Sequence, residues 1–395
     1  MKRSVPRRWD IFCQVIDNYG DLGVCWRLAR QLAKEYGIHA RLWIQDAPQK
    51  KADAQKITAR EKLARLAPEI SQTSFASFPQ GKIELRDWAA PLDFGQPAEV
   101  VIEAFACDLP GEYLSAMTRI RPAPRWLNLE YLTPESWAET CHARASPHPN
   151  LPLVKYFFIP GFTPETGGLL REKNLCETQA LSLEPSALQT FLAWLDSTKL
   201  APKTVCALRA LPSQFARARL VSLFHYDCAP LTSLLTVWRS SPFPLLGFIF
   251  SEEFPASPLR CGENYRLFPM PFLPQDDYDA ALALCDLNFV RGEDSFLRAQ
   301  WAGKPFVWQA YPQEKTARNA KLLAFLARFS PPAALDGLWR AWNGLAENAD
   351  IQRSWENFHA DWETSKQHAR QWRNTLTRQN DLAARLVHFV GEKLE

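Results

Sequence analysis

The sequence contains no Cys-x-x-Cys pair, no G-x-G-x-x-G turn, no long apolar run and no strong excess of one charge. Each absence closes off a class. Nine cysteines, an odd count, scatter over positions 13, 25, 107, 141, 176, 206, 228, 261 and 285. A disulfide framework or a zinc cage needs tighter spacing. They read as buried thiols of a reducing cytosol. The longest apolar run lies near Pro244–Phe250, far short of the ~20 residues that span a bilayer. Met1 to Arg8 is basic, but Asp10, Asp17 and Asn18 follow, so no signal-peptide core forms. A formal net charge of +3 over 395 residues demands neither a nucleic acid nor a membrane as partner. The expectation is a cytoplasmic protein that engages neither.

The chain that remains is long, aromatic and punctuated. Its 395 residues exceed what one hydrophobic core usually serves, so two domains are expected. Fifteen tryptophans bring large contact areas, and thirty prolines mark loops. Short apolar runs alternate with amphipathic stretches. Strands are expected at Trp9–Ile16, His39–Ile44, Glu99–Ala104, Arg125–Leu129 and Val154–Ile159. A second series covers Leu220–Tyr226, Leu245–Phe250, Tyr265–Phe268, Asp286–Val290 and Pro305–Gln309. Helical periodicity falls between them, at Leu22–Tyr36, Asp53–Leu66, Ala229–Trp238, Asp277–Cys285, Ser295–Ala302 and Thr316–Phe329. Such alternation predicts an α/β protein with parallel sheets covered on both faces.

The pattern runs twice, with a Pro- and Gly-rich break over 145–168. A hinge is placed in 168–185, which gives domains of 1–175 and 176–369. Apolar stripes through Trp355, Phe358, Trp362, Trp372, Leu376, Leu382, Leu386 and Val390 predict terminal helices. The last of these, about 370–395, is expected to return to the first domain. Two domains of this type bind ligands beyond the carboxyl ends of their strands, so a cleft between them is the expected site. The fold alone does not choose the chemistry.

Two polar constellations sit where strands end. In Asp17-Asn18-Tyr19-Gly20-Asp21 a strand runs into a Gly-containing turn and then a helix, with two carboxylates within five residues. The bland reading makes Asp21 a helix N-cap and Asp17 an Asx-turn. In Arg291-Gly292-Glu293-Asp294-Ser295 a buried strand ends in a charged turn that opens a helix. A helix N-terminus offers unpaired N–H groups to a diphosphate, Ser295 adds a hydroxyl, and Arg291 adds a fixed charge with bidentate geometry. Glu293 and Asp294 would repel a phosphate, so at least one must face a sugar hydroxyl, Arg291 or an acceptor. The bland reading is an Arg291–Asp294 ion pair plus an N-cap. Gln275 can read a base edge through its amide, Phe224 and Tyr226 can stack on a base, and the Tyr311 hydroxyl can reach a phosphate. No His cluster or His–Glu pair with metal-ligand spacing stands near these segments, so no cofactor and no metal are expected.

These residues resemble those of a known family. Phe12-Cys13-Gln14-Val15-Ile16-Asp17-Asn18-Tyr19-Gly20-Asp21-Leu22-Gly23-Val24-Cys25-Trp26-Arg27 is similar to the opening of the bacterial protein-arginine rhamnosyltransferases (EarP). Asp286-Leu287-Asn288-Phe289-Val290-Arg291-Gly292-Glu293-Asp294-Ser295-Phe296 resembles their second signature. Leu273-Pro274-Gln275-Asp276-Asp277-Tyr278-Asp279 and Trp301-Ala302-Gly303-Lys304-Pro305-Phe306 are similar too, in the same order. The resemblance implies a GT-B fold of two Rossmann-like domains facing across a cleft. It implies dTDP-β-L-rhamnose as donor, an arginine of elongation factor P as acceptor, and inversion at the anomeric carbon. The modified factor is then expected to help ribosomes through proline runs.

Carried over position by position, the family's catalytic carboxylates fall on Asp17, Asp21 and Glu293. Its nucleotide-binding positions fall on Gln275, Arg291, Asp294, Ser295 and Tyr311, with Phe224 and Tyr226 as the aromatic pair. Asn18, Tyr19 and Gly20 join the substrate-binding set. Glu103-Ala104-Phe105-Ala106-Cys107 resembles a stretch in which the family is expected to carry Gly where Ala106 stands. Two other readings stay open from the residues themselves. One is a glycosyltransferase of the same architecture acting on a lipid or glycan, and the other is a non-enzymatic binder of a translation factor.

Overall fold

Strand segments that are apolar on both faces become sheet centres, and the two runs of them in this chain build two sheets. The computed structural model describes residues 6–16, 19–46, 57–70, 74–88, 94–173, 175, 187–250, 255, 259–311, 314–345 and 350–392. The chain divides into two compact units, 1–172 with 379–395, and 173–378.

The first unit contains β1 (Arg8–Val15), α1 (Gly20–Tyr36), β2 (His39–Asp46), α2 (Ala59–Leu66), β3 (Phe75–Ser77), β4 (Lys82–Asp87) and β5 (Val100–Ala104). It continues through α3 (Gly111–Met117), β6 (Arg125–Leu129), α4 (Trp137–Cys141), β7 (Ala145–Pro147) and β8 (Val154–Phe158). The sheet order is β3-β4-β2-β1-β5-β6-β8-β7. Its six inner strands run parallel, and the short edge strands β3 and β7 are antiparallel. β1 lies between β2 and β5 with Ile11 opposite both Leu42 and Ile102, so both its edges are paired. Two polar side chains in this core are fully paired. Asp10, 0% exposed, accepts from Arg41 Nε and Nη2 at 2.5 and 2.6 Å, Trp43 Nε1 at 3.1 Å, Ala98 N at 3.0 Å and the Tyr113 hydroxyl. Glu103 is likewise 0% exposed; burial pushes its carboxyl up, against the pull of Lys155 at 3.3 Å and Trp126 Nε1 at 3.0 Å.

The second unit contains α5 (Ala187–Thr198), α6 (Pro202–Arg209), β9 (Arg219–Leu223), α7 (Leu231–Arg239), β10 (Leu245–Ile249), β11 (Tyr265–Pro269) and α8 (Gln275–Leu284). After these come β12 (Leu287–Arg291), α9 (Asp294–Ala302), β13 (Phe306–Gln309), α10 (Lys315–Phe329), α11 (Ala333–Asn343), α12 (Ile351–Ala360) and α13 (Trp362–Thr377). Its sheet is β11-β10-β9-β12-β13, parallel throughout. The tryptophan-rich tail builds this core: Phe325, Phe329 and Trp339 pack around Phe306, and Trp372 packs on Phe325 and Phe329.

The return to the first unit begins at Gln379, after α13, rather than near residue 370. α14 (Leu382–Glu392) is tied there by Leu382 N to Leu169 O at 2.9 Å and by Gln31 Nε2 to Asp381 at 3.1 Å. Arg385 Nη1 also reaches the carbonyls of Pro164 and Thr166, both at 2.6 Å. Of the cysteines, Cys13, Cys25, Cys107 and Cys285 are buried, while Cys141, Cys206, Cys228 and Cys261 are exposed. The expectation of buried thiols thus fails for the four that sit on helix surfaces and in loops. Cys176 lies outside the described residues. Among the described residues, no helix is long and apolar enough to cross a membrane.

Candidate active site

Among the parallel strands of each sheet the order reverses direction once, between β1 and β5 and between β9 and β12. At such a switch the connections leave the carboxyl ends in opposite directions and open a crevice. The segment Ile16–Asp21 leaves β1, and Arg291–Ser295 leaves β12. Tyr19–Asp21 of the first constellation and Arg291–Ser295 of the second therefore stand at switch points.

In the first unit, α1 starts at Gly20 with Tyr19 in the N-cap position, so Asp21 is the second helical residue and not the cap. Its carboxylate is 1% exposed and turns back on the loop. Oδ2 accepts the Ile16 N–H at 2.8 Å, and Oδ1 accepts the Tyr131 hydroxyl at 3.0 Å. Tyr19 accepts from Arg65 Nη1 on α2 at 3.4 Å. Asp17 and Asn18 lie outside the described residues. One turn further along α1, the Cys25 thiol is raised well above its ordinary value, by a hydrogen bond with Cys13, then by burial, and by the nearby Asp21 charge. It is a packed thiol and not a thiolate nucleophile.

The end of β5 contributes a turn in which Phe105 and Ala106 have φ of 58° and 54°. An L-residue there costs roughly 1–3 kcal/mol and persists only when its surroundings hold it. Phe105 N donates to Leu129 O at 2.7 Å and Ala106 N to Asn128 Oδ1 at 3.1 Å. Ala106 thus keeps a backbone shape that a glycine adopts more easily. Phe105 stacks on Tyr131 at 4.3 Å and 13°.

In the second unit, Arg291 is the last residue of β12. Its guanidinium lies over the rings of Phe224, at 4.2 Å, and Tyr226, at 4.7 Å, and Nη1 donates to His225 O at 2.8 Å. β9 ends at Leu223, so Phe224 and Tyr226 leave the strand and one face of each meets Arg291. Gln309, at the end of β13, holds this loop through Oε1 to Tyr226 N at 2.8 Å. Tyr311, half exposed, meets Tyr226 edge-on at 5.8 Å.

The turn after Arg291 is shaped for a tight exit. Gly292 has φ of 65° and its carbonyl accepts Trp308 Nε1 at 2.6 Å. Ser295 accepts from Arg291 N at 3.1 Å and donates to Arg291 O, so its hydroxyl braces the residue that carries the cation. Glu293 occupies the N-cap of α9 without bonding the helix through its side chain. Asp294 opens the helix, where the dipole favours a negative group. Gln275 opens α8 and is 3% exposed. One turn later Tyr278 meets Phe224 edge-on at 5.9 Å, and burial pushes its hydroxyl well up.

The second unit therefore brings together Phe224, Tyr226, Arg291, Ser295 and Tyr311, with Gln275 approached through Tyr278. A planar cation beside a helix N-terminus and exposed aromatic edges suits a nucleoside diphosphate. Asp277 and Asp279 have Asp-x-Asp spacing, but Asp279 pairs with Arg298 at 2.9 and 2.6 Å. Among the described residues, no group of three or more His, Cys, Asp or Glu side chains is placed to hold a metal ion. Tyr131, Tyr278 and Gln309 are absent from the sequence-derived set. Only Gln309 carries a signal, as a polar end to an otherwise apolar strand.

Residues 9–391 match the family model described as Elongation-Factor P (EF-P) rhamnosyltransferase EarP. The chain is 40% identical over 407 residues to a protein-arginine rhamnosyltransferase of Pseudomonas putida, covering 98% of this chain and 99% of that one. It is 38% identical over 406 residues to one from Pseudomonas aeruginosa, with the same coverage. Among solved structures, one described as the structural basis for EarP-mediated arginine glycosylation of translation elongation factor EF-P matches with a TM-score of 0.59 at 31% identity. That match covers 97% of this chain and 98% of the other.

Proposed function

This chain belongs to the elongation factor P rhamnosyltransferase family, and from that premise we propose that it transfers L-rhamnose from dTDP-β-L-rhamnose to an arginine side chain of elongation factor P. It is a glycosyltransferase of the GT-B class. The transfer inverts the anomeric carbon and uses no metal. The modified factor serves ribosomes at proline runs, which places the enzyme in the cytoplasm with its acceptor.

The observation that carries the reading is the charge at the two switch points. A buried carboxylate, Asp21, stands at one, and a stacked guanidinium, Arg291, with a helix N-terminus stands at the other. The reaction needs both. A guanidinium is protonated, with a pKa of about 12.5–13.8, and reaching the neutral form at pH 7 costs roughly 8 kcal/mol. A carboxylate avoids that cost by taking the proton as the C–N bond forms. In the proposed step the terminal arginine nitrogen attacks the anomeric carbon. The bond from that carbon to the diphosphate oxygen breaks, dTDP leaves with the electron pair, and the proton passes to Asp21. Asp17 and Glu293 orient the acceptor guanidinium, a fork that matches carboxylates in bidentate pairs.

On the donor side, Arg291, the α9 N-terminus and a loop braced by Ser295 stabilise the departing charge. Phe224, Tyr226 and Gln275 address the nucleoside, Tyr311 and Asp294 the phosphate and sugar, and Asn18, Tyr19 and Gly20 complete the substrate contacts. The direct test is the intact mass of elongation factor P after incubation with enzyme and dTDP-rhamnose. A gain of one deoxyhexose, mapped to arginine, is expected. An unchanged mass with active donor present would overturn the reading.

A further inference from the structure

We propose that Tyr131 is the positioning residue for Asp21. The inference rests on the reading of Asp21 as the base and deepens it. Ile16 N and the Tyr131 hydroxyl each bond one oxygen of the Asp21 carboxylate. The bond from Ile16 N belongs to the loop itself. The bond from Tyr131 comes from 110 residues away in sequence and is made by a side chain.

A carboxylate on a short side chain rotates about its terminal torsion, which is broad and roughly two-fold. A donor on each oxygen restricts that freedom and biases which lone pair faces an acceptor. Tyr131 can do this because its own ring is fixed. It stacks on Phe105 at 4.3 Å and 13°. Phe105 in turn sits in the left-handed turn that β6 pins through Leu129 O and Asn128 Oδ1. The chain of contact therefore runs from the ends of β5 and β6, across the two stacked rings, to the carboxylate on α1. This gives the strained Phe105-Ala106 turn a task, since such outliers gather where geometry must be exact to function.

The test compares Tyr131→Phe with Asp21→Asn in the whole enzyme, with elongation factor P and dTDP-rhamnose as substrates. Tyr131→Phe keeps the ring stack and removes only the hydroxyl. A hydrogen bond to a charged group of this kind gives about a ten-fold or greater effect when lost, so kcat is expected to fall at least ten-fold with both KM values within two-fold of the parent. The double variant is expected to be no slower than Asp21→Asn alone, because Tyr131 acts through Asp21. A Tyr131→Phe enzyme with parental kcat overturns the proposal while an inactive Asp21→Asn leaves the base reading standing. An active Asp21→Asn overturns both. A Tyr131→Phe loss that appears only in KM, or that multiplies with Asp21→Asn, also overturns it, since the hydroxyl would then act elsewhere.

Discussion

The guanidinium of Arg291 lies 4.2 Å from the ring centroid of Phe224, and the same cation reaches Tyr226 two residues on. Each such contact contributes about 0.5–1 kcal/mol at an exposed site and up to ~2 kcal/mol when desolvated. Lysine keeps the charge but has no plane to stack and no fork for a phosphate. Arg291→Lys is expected to weaken dTDP binding about ten-fold or more with the fold retained. Titration calorimetry reads the affinity and circular dichroism the fold; parental affinity would remove Arg291 from the donor site.

Ser295 spends its hydroxyl on both backbone groups of Arg291. Ser295→Ala leaves that peptide without its brace. The expected outcome is a loss of about 1 kcal/mol in stability, the size of one or two such bonds, together with weaker dTDP binding. Thermal unfolding and calorimetry measure the two effects. Unchanged dTDP affinity would contradict the link between this brace and the donor.

Asp21→Asn keeps the size and polarity of the side chain but cannot accept the guanidinium proton. Turnover is expected to fall by about 10²–10⁴-fold, the usual contribution of a general base, while dTDP-rhamnose binding stays. A purified variant with near-normal turnover takes the base role away from Asp21.

His142 gives the first unit a pH limit. Burial, then the nearby Arg385 charge, pushes its imidazole down to about 4, and its neutral Nδ1 accepts the Ile159 N–H at 3.1 Å. The unfolded chain takes up this proton near the ordinary histidine value of about 6.5. Between about 6.5 and 4 the unfolded state therefore binds more protons, and stability falls as pH drops through that window. Urea midpoints measured from pH 7 to pH 4.5 are expected to decline, and His142→Gln is expected to flatten the decline. An equal slope in that variant would assign the proton elsewhere.

Gly168 has φ of 75°, and a Cβ there would stand 2.8 Å from Asn380 O. Gly168→Ala adds backbone strain of roughly 1–2 kcal/mol to a clash with the returning tail. A clear drop in melting temperature is expected, with faster proteolysis near residue 379. An unshifted melting curve would show that the tail yields freely.

The inner strands were legible because parallel strands buried on both faces read as apolar runs. Leu245–Ile249 and Arg125–Leu129 stand within a residue of their expected bounds. Phe75–Ser77 and Ala145–Pro147 were not legible, since three-residue edge strands carry too few positions to show a period. Lys82–Asp87 alternates buried Ile83 and Leu85 with charged neighbours, a pattern masked by its charge. At the site, residue types gave the charges but not their neighbours. Phe224 and Tyr226 suggested stacking on a base, and the structure shows Arg291 against them, a contact 65 to 67 positions away in sequence. Tyr131 left no trace, because one hydroxyl on one loop has neither period nor motif.

The detour through residues 173–378 before the chain rejoins its first unit at Gln379 sets an order of birth. Vectorial synthesis delivers every strand of β1 to β8 early, yet the partners of Gln31 and Leu169 arrive last. The half that starts first must wait, with part of its surface uncovered, for a helix made after the other half is complete in sequence. A chain truncated after residue 378 is therefore expected to hold every residue of the second unit and an unfinished first.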